Sequence, residues 1–363
     1  MSIQVSYKKQ AIFGTMFLLI LLFVIEMISQ VIWYEIETKC ELPKYYYDGY
    51  ENDFLLELCN DYRNFQYLND NEIRLNLPNQ QGVSYSINEY GFRGDSFSME
   101  KKDDEFRIIM VGGSTTFGLG STSNESTIPN QLEKILENKF QKDFLVINAG
   151  VIAAKSTDEV FNIKHNLLSY NPDMIIVFDG YNDAFNIRLD EISEGDTFSG
   201  NRDKTTLESL IKKYIGNFAT PNIIYQYTAD YLKISSLTDQ IKEKNTENWI
   251  KRWNEICSIS KEKDFELLVT IQPMLGTGDR EMTDKESEIS KKITHVKTLE
   301  FLNDLGDNLE LLECPYADLR NTFDNNNEQI FFSLVHTGDE QNNILAERIS
   351  KEISTIIQKE INN

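Results

Sequence analysis

The sequence is poor in the residues from which protein metal sites are built. Its 363 residues include only four cysteines and three histidines. No two cysteines form a C-x-x-C pair, and the histidines lie far apart, so the ligand spacing of a zinc site is absent. The residues concerned are Cys40, Cys59, Cys257, Cys314, His165, His295 and His336. We therefore expect no structural metal and no cofactor.

Basic side chains are also scarce. The chain has 36 Lys and Arg against 58 Asp and Glu, which gives a formal net charge of −22. Because phosphate binding requires clustered Lys and Arg, this balance excludes nucleic acid as an expected partner. The hydrophobic share of 40% is that of a globular protein with a core, which excludes general disorder.

One apolar run is long enough to cross a bilayer. It extends from Ala11 to Ile32, about 33 Å as a helix. The residues in it that are not apolar are Gly14, Thr15, Glu26, Ser29 and Gln30. No small-x-small cleavage site follows, which favours an uncleaved anchor over a signal peptide. Glu26 is costly in such a span unless it lies near the outer interface.

The charges that flank this run predict its orientation. Lys8 and Lys9 precede it, whereas Glu35, Glu37 and Glu41 follow. The positive-inside rule then puts residues 1–10 in the cytoplasm, residues 11–34 in the membrane and the rest outside the cell. There a Cys40–Cys59 disulfide is expected. Cys257 and Cys314 are predicted to be buried free thiols.

Residues 35–105 are polar and rich in tyrosine, with a cluster at Tyr45, Tyr46, Tyr47 and Tyr50. They are interpreted as a stalk followed by a strand-rich lead-in. The tyrosine cluster is predicted to pack against the main domain.

From residue 106 to 360, short apolar runs alternate with amphipathic helical stretches. The runs at 106–112, 144–148, 173–180 and 265–273, with a weaker one at 309–314, suit strands that are covered on both faces. The alternation predicts a three-layer α/β/α domain of flavodoxin-like kind with a parallel five-stranded sheet, whose ligand site lies at the carboxyl ends of the strands. Residues from about 190 to 250 interrupt this alternation of strands and helices and are interpreted as a helical cap near that site.

A glycine-flanked serine directly follows the first apolar run, in the segment Gly112-Gly113-Ser114-Thr115-Thr116-Phe117-Gly118. The segment suits a nucleophile on a sharp turn into a helix, and alone it suits a phosphate-binding turn equally well. Leu119 and Gly120 stand where a Walker A motif requires Lys and Ser or Thr. Thr116 occupies the glycine position of an α/β-hydrolase nucleophile elbow.

Motifs at the ends of later strands make the pattern specific. Asn148-Ala149-Gly150 follows the second run, Gly180-Tyr181-Asn182-Asp183 the third, and Val335-His336 precedes the last helix. With these motifs the chain resembles the SGNH (GDSL-like) serine hydrolase family, in particular membrane-anchored members with a GGST serine block. The resemblance spans roughly Asn88 to Ile349, including the lead-in Asn88-Glu89-Tyr90-Gly91-Phe92-Arg93-Gly94 and Gln272-Pro273.

The resemblance implies a role for each matching residue. Ser114 would be the nucleophile and His336 the general base. The oxyanion would be bound by the backbone N–H groups of Ser114 and Ala153, where the family has glycine, and by the amide of Asn182. Asp183 would be structural.

The acid that the family carries three residues before the histidine is replaced by Ser333. Asp324, Glu328 or Asp339 would have to substitute for it in space, or a backbone carbonyl would orient the imidazole, or the protein would be slow or inactive. His165 and His295 are expected to be surface or packing residues.

The expected activity is hydrolysis of an acyl or acetyl ester on a surface glycan, a lipid or a small molecule. Two alternatives remain open from the sequence. One is an O-acetyltransferase of the same fold, and the other is a catalytically silent carbohydrate- or lipid-binding protein, which Ser333 suggests.

Overall fold

The computed structural model of the chain describes residues 6–38, 50–69, 73–185, 218–224, 238–291 and 293–362. The chain divides into two compact units. One comprises Met1–Glu41 with Asn201–Ser236, and the other comprises Leu42–Gly200 with Leu237–Asn363. Tyr45–Tyr47, Cys40 and most of the predicted cap lie outside the described residues.

The first unit contains one long helix, α1 (Tyr7–Thr38). Almost all of its described side chains are exposed, although most of them are apolar. Its segment Tyr7–Glu35 is the one span among the described helices that is long and apolar enough to cross a membrane. A short helical segment at 219–224 belongs to the same unit.

The second unit opens with a lead-in of one helix and four short strands. These elements are α2 (Asn52–Asn64), β1 (Tyr67–Asn69), β2 (Arg74–Asn76), β3 (Gln80–Gln81) and β4 (Ser86–Ile87). Phe65, Tyr85 and Ile87 of this segment are buried together with Phe117, which lies in the serine block three residues after Ser114. The lead-in thus packs directly on the loop that carries Ser114.

Five parallel strands form the central sheet. They are β5 (Glu105–Gly112), β6 (Asp143–Gly150), β7 (Met174–Asp179), β8 (Glu266–Ile271) and β9 (Tyr316–Asp318). Their order is β6-β5-β7-β8-β9, and every pairing is parallel. This is the flavodoxin-like order, and it confirms the predicted fold class.

Helices cover both faces of the sheet. They are α3 (Ser114–Phe117), α4 (Ile128–Phe140), α5 (Ser156–His165), α6 (Tyr181–Phe185), α7 (Asp239–Lys263), α8 (Asp284–Ser290), α9 (Ile293–Asp307) and α10 (Asp339–Asn362). On β5, Ile109 and Val111 join one core with α5, α7 and α9, whereas Ile108 and Met110 join another with α4 and α10. Alternate residues of a strand point to opposite faces, so a continuous apolar run fills two cores.

The position of the fifth strand differs from the prediction. The apolar run at 309–314 forms a 3-10 helix at Leu309–Leu311, and the edge strand is Tyr316–Asp318. Leu309 and Leu312 of this run are buried in the core beneath the sheet rather than in a ladder. A run of apolar residues indicates that a segment is buried, but it does not distinguish a strand from a buried turn.

The prediction that Cys257 and Cys314 are free thiols is wrong. They form a disulfide with their Cα atoms 5.4 Å apart, which joins α7 to the segment before β9. Cys59 is also disulfide-bonded, and its predicted partner Cys40 lies outside the described residues. A pairing across 57 residues depends on tertiary proximity, which the sequence pattern does not report.

Candidate active site

Ser114 lies at the carboxyl end of β5, the second strand of the sheet order. It is the first residue of α3, so its backbone N–H has no acceptor within the helix. The glycine before it allows a close approach of the neighbouring strand end. A Cβ atom on Gly113 would lie 2.3 Å from Nδ2 of Asn182. The serine block and the end of β7 are therefore in contact because residue 113 has no side chain.

His336 reaches the serine from the turn before α10. Its Nε2 lies 2.7 Å from Oγ of Ser114, although 222 residues separate the two in sequence. The turn is held by the Phe332 N–H, which donates to the His336 carbonyl at 3.1 Å, and by the Leu275 N–H, which donates to the Leu334 carbonyl at 2.8 Å. A hydroxyl and an imidazole in this geometry can exchange a proton.

The third member of the chain of hydrogen bonds is Ser333. Its Oγ lies 2.7 Å from Nδ1 of His336. The same oxygen accepts the backbone N–H of His336 at 3.1 Å and, more weakly, that of Val335 at 3.4 Å. A neutral hydroxyl thus occupies the place where the family pattern has a carboxylate.

This arrangement bears on the position of the imidazole proton. A hydroxyl has one proton and two lone pairs. When both backbone N–H groups occupy the lone pairs of Ser333, its proton points at Nδ1 of His336, and the ring proton then resides on Nε2. That tautomer cannot accept the proton of Ser114.

In the productive tautomer the ring proton is on Nδ1 and is donated to Oγ of Ser333. This hydrogen bond takes the place of the weak one from the Val335 N–H. Exchanging one such hydrogen bond costs about 1 kcal/mol, roughly a fivefold lower population of the base-competent form.

The electrostatic surroundings weaken His336 as a base. Removal from water lowers the pKa of His336 to about 4, and no anion counteracts this effect within the described part of the chain. The imidazole is therefore neutral at pH 7, as a general base must be, but its affinity for a proton is low.

None of the three acids considered as substitutes for the missing carboxylate contacts His336 in the part of the chain that the structure describes. The carboxylate of Asp339 accepts hydrogen bonds from the N–H and hydroxyl of Thr122. Asp324 accepts the N–H of Asp279 at 3.0 Å, and Glu328 is exposed. The suggestion that one of them substitutes for the acid is thereby corrected, because each carboxylate is held or solvated elsewhere and Nδ1 is already bonded to Ser333.

Asn182 lies in the first turn of α6, directly after β7. Its Nδ2 donates to the carbonyl of Ala154 at 2.7 Å. Because a carboxamide nitrogen carries two hydrogens, the second remains for a ligand beside Gly113 and Ser114. The serine block, the 153–154 turn and the end of β7 thus converge on one small region.

Ala153 adopts a left-handed backbone conformation with φ of 64°. A side chain in this region costs about 1 kcal/mol relative to glycine. This explains why the family pattern has glycine here, and the backbone N–H is retained by the substitution.

Buried acids lie behind the site. The carboxylate of Asp183 accepts the Ser156 N–H at 2.9 Å and pairs with Arg252 at 3.2 Å, which fixes α6 against α5 and agrees with a structural role. Burial and the neighbouring Asp183 raise the pKa of Asp179 to about 8. Asp179 also accepts the indole N–H of Trp249 at 2.9 Å.

Two buried charges that the sequence did not single out as functional hold the loops of the site. Arg93 donates to the carbonyls of Phe117 and Gly118 at 3.1 and 2.9 Å, so the lead-in clamps the end of the serine helix. In the sequence, Arg93 could be noticed only as part of the Gly91-Phe92-Arg93-Gly94 segment of the lead-in. The structure shows what its side chain contacts.

Glu286 acts similarly on the histidine side. It is fully buried, pairs with Arg280 at 2.7 Å, and accepts the N–H groups of Ile330 and Phe331 at 3.0 Å each, just before the turn that carries Ser333. Burial alone would raise the pKa of Glu286, but Arg280 and the backbone N–H groups lower it below its usual value. The sequence signal was a capping box of Thr283 and Glu286.

The two other histidines lie apart from these residues. His165 is exposed on α5 and contacts Phe161, while His295 is buried and bonds to the Leu275 carbonyl at 2.7 Å. Both have the surface or packing roles that were expected.

Comparison with known proteins assigns the family. The model of the GDSL-like lipase/acylhydrolase family matches residues 94–349, well over half of the chain. The chain therefore belongs to the GDSL-like lipase/acylhydrolase family. Its class is that of serine hydrolases that cleave ester bonds. No curated protein matches the sequence.

Several solved structures are similar at low identity. An alpha/beta hydrolase enzyme, LAE5, from the metagenome of Lake Arreo, Spain, is 10% identical with a TM-score of 0.43, covering 68% of this chain and 94% of that one. A catalytic mutant of the acetylxylan esterase Axe2 from Geobacillus stearothermophilus is 10% identical with a TM-score of 0.41, covering 68% and 93%. The acetyl xylan esterase AlAXEase is 17% identical with a TM-score of 0.40, covering 68% and 99%.

Proposed function

We propose that the chain is a membrane-anchored extracytoplasmic serine esterase that removes an acyl or acetyl group from a cell-surface glycan or lipid. The observation that carries the catalytic part is the 2.7 Å contact between Oγ of Ser114 and Nε2 of His336 at the carboxyl edge of the sheet. The resemblance to anchored family members, α1 and the disulfides support the location.

In the proposed reaction, Oγ of Ser114 attacks the ester carbonyl carbon while Nε2 of His336 takes the hydroxyl proton. The oxyanion that forms is bound by the N–H groups of Ser114 and Ala153 and by the amide of Asn182. His336 returns the proton to the departing alcohol, which leaves an acyl-Ser114 intermediate. Water, deprotonated by His336, then attacks this acyl group and releases the acid and free Ser114.

The orienting group for His336 is proposed to be Ser333. A hydroxyl fixes the ring by hydrogen bonding but supplies no negative charge to stabilise the imidazolium that forms in the transition state. We therefore expect slow turnover compared with an enzyme that has an acid at this place.

Beside the resemblance, the N-terminal helix and the disulfides support the proposed location. Tyr7–Glu35 is long and apolar enough to span a bilayer, and Lys8 and Lys9 precede it. Disulfides persist outside the reducing cytosol, and no free thiol is present among the described cysteines. An esterase held on the outer face would meet acylated glycans or lipids of that surface.

The test uses the full chain in detergent with p-nitrophenyl acetate and a fluorophosphonate probe. Wild type should hydrolyse the ester and bind the probe covalently at Ser114, whereas Ser114→Ala should do neither. Ser258→Ala, a change of an exposed serine on α7, is the matched control and should behave as wild type. Equal labelling of wild type and Ser114→Ala would remove Ser114 from the mechanism.

A further inference from the structure

The polar residues of α1 are clustered on one side of its outer end. Glu26, Ser29 and Gln30 are spaced at i, i+3 and i+4, so they share one face of the helix, which we call the polar face. Ser29 is only 8% exposed, whereas the surrounding apolar side chains of α1 are exposed. Something in the chain therefore covers this face.

The cover is the segment of residues 218–224, which lies in the same compact unit although nearly 200 residues later. The carboxylate of Glu26 accepts the backbone N–H groups of Ala219 at 2.6 Å and Thr220 at 3.2 Å. The Thr220 hydroxyl donates to Oγ of Ser29 at 2.8 Å. Gln30 donates to the same carboxylate at 2.7 Å.

These contacts lie at the depth of the bilayer if α1 spans it. Glu26 precedes Ile32, the last residue of the apolar run, by six residues, which is about 9 Å along a helix. A hydrocarbon core is about 30 Å thick, so this position is inside the nearer leaflet. A carboxylate there requires partners, and a backbone N–H there requires an acceptor. Each group satisfies the other.

The outward surface of the segment is apolar. Phe218 is 50% exposed and Ile224 is 57% exposed, at its two ends. Ala219, whose N–H donates to Glu26, is buried. A segment that directs the N–H groups of Ala219 and Thr220 and the Thr220 hydroxyl to α1, and large apolar side chains outward, fits a lipid environment.

We propose that residues 218–224 are a second membrane element, which enters the leaflet nearest the C-terminal end of α1 and docks on the polar face formed by Glu26, Ser29 and Gln30. The partner of the outward surface is the lipid of that leaflet. This inference rests on the membrane anchoring in the proposed function, and it also accounts for a glutamate within a membrane span.

Docking is tested by disulfide crosslinking of the full-length chain in isolated membranes. Ser29→Cys with Thr220→Cys should crosslink, detected as a linked peptide after digestion. Met27→Cys with Thr220→Cys is the matched control, because residue 27 lies on the opposite side of α1 within about 3 Å of the same depth, and it should not crosslink. Adding Glu26→Leu to the first pair should abolish its crosslink. Absence of a crosslink in the first pair, or equal yields in both pairs, overturns docking.

Lipid burial is tested by a membrane-impermeant maleimide. Ile224→Cys should be protected in intact membranes with the outer face accessible and should react after detergent is added. Val296→Cys, at 62% exposure on α9, is the control and should react in both conditions. Equal reaction of the two cysteines in intact membranes overturns the lipid contact.

Carbonate extraction of the same membranes separates the two proposals. Wild-type chain in the soluble fraction would refute the anchor itself. Wild-type chain retained in the membrane, with no crosslink between residues 29 and 220, would refute only the docking.

Discussion

Replacing Ser333 by Asp should convert the site to one with a charged triad. The carboxylate would lie three residues before His336, as in the family pattern, and next to Nδ1, where the serine hydroxyl now lies at 2.7 Å. It would hold the ring proton on Nδ1 and attract the imidazolium. Both effects favour the form of His336 that deprotonates Ser114.

The magnitude follows from the charge and the distance. A carboxylate and an imidazolium about 4 Å apart attract each other by about 4 kcal/mol at an effective dielectric constant of about 20, which equals about three pKa units. Part of this is lost because the carboxylate is itself removed from water, leaving about two units. The pKa of His336 should therefore rise from about 4 towards 6. The corresponding gain in rate at pH 7 is up to about a hundredfold.

The assay is kcat/KM for p-nitrophenyl acetate as a function of pH. Activity requires neutral His336, so the rate should fall on the acid side as the pH drops through the pKa of His336. For wild type this limb should lie near pH 4, and for Ser333→Asp it should lie about two units higher. Ser333→Asn introduces a side chain of the same shape as Asp but without its charge, so it should not shift the acid limb of the pH profile.

Two results would refute the reasoning. One is an acid limb of Ser333→Asp that coincides with wild type in a folded protein that still binds the fluorophosphonate probe. The other is full activity of Ser333→Ala, because it would show that the hydroxyl does not orient His336.

Three further outcomes are expected. Asn182→Ala should lower kcat about a hundredfold or more with little change in KM, because one oxyanion donor is lost; an unchanged kcat would exclude the amide from the reaction. Replacing Cys257 and Cys314 by Ala should lower the free energy of unfolding by about 2–4 kcal/mol, given the 57-residue separation, and equal denaturation midpoints would contradict this. Glu286→Gln should cost about 3 kcal/mol at pH 7, because the guanidinium of Arg280 would be left buried without a counter-charge. The folded pKa of Glu286 is lower than the unfolded one, so its stabilisation is present above the unfolded value and is lost as the pH falls through the folded one. The cost of Glu286→Gln should therefore shrink in acid, whereas the exposed control Glu281→Gln should have little effect at any pH.

Local pattern was sufficient for the core of the fold. Four of the five strands lie within two residues of the predicted apolar runs, because a strand buried on both faces must be apolar throughout. The fifth was misplaced because a three-residue edge strand buries too little to leave a pattern, while the buried 3-10 helix beside it does.

The candidate site shows the same division. Short motifs at strand ends identified Ser114, Asn182 and His336 in sequence. The hydrogen bond of His336 Nδ1 with Ser333 rather than with Asp339 depends on the conformation of one turn and on Thr122, which binds that acid. No spacing in the sequence encodes such a choice.

The sequence by itself determined the elements that depend on nearest neighbours along the chain: the long apolar N-terminal helix, the parallel strands and the glycine-flanked serine. Only the tertiary structure decided which distant groups meet, including the Cys257–Cys314 disulfide and the contact of Glu26 with residues 219 and 220. The physical reason is that periodicity reports which side of an element is buried. The partner on that side is selected by packing and hydrogen bonding between segments far apart in sequence.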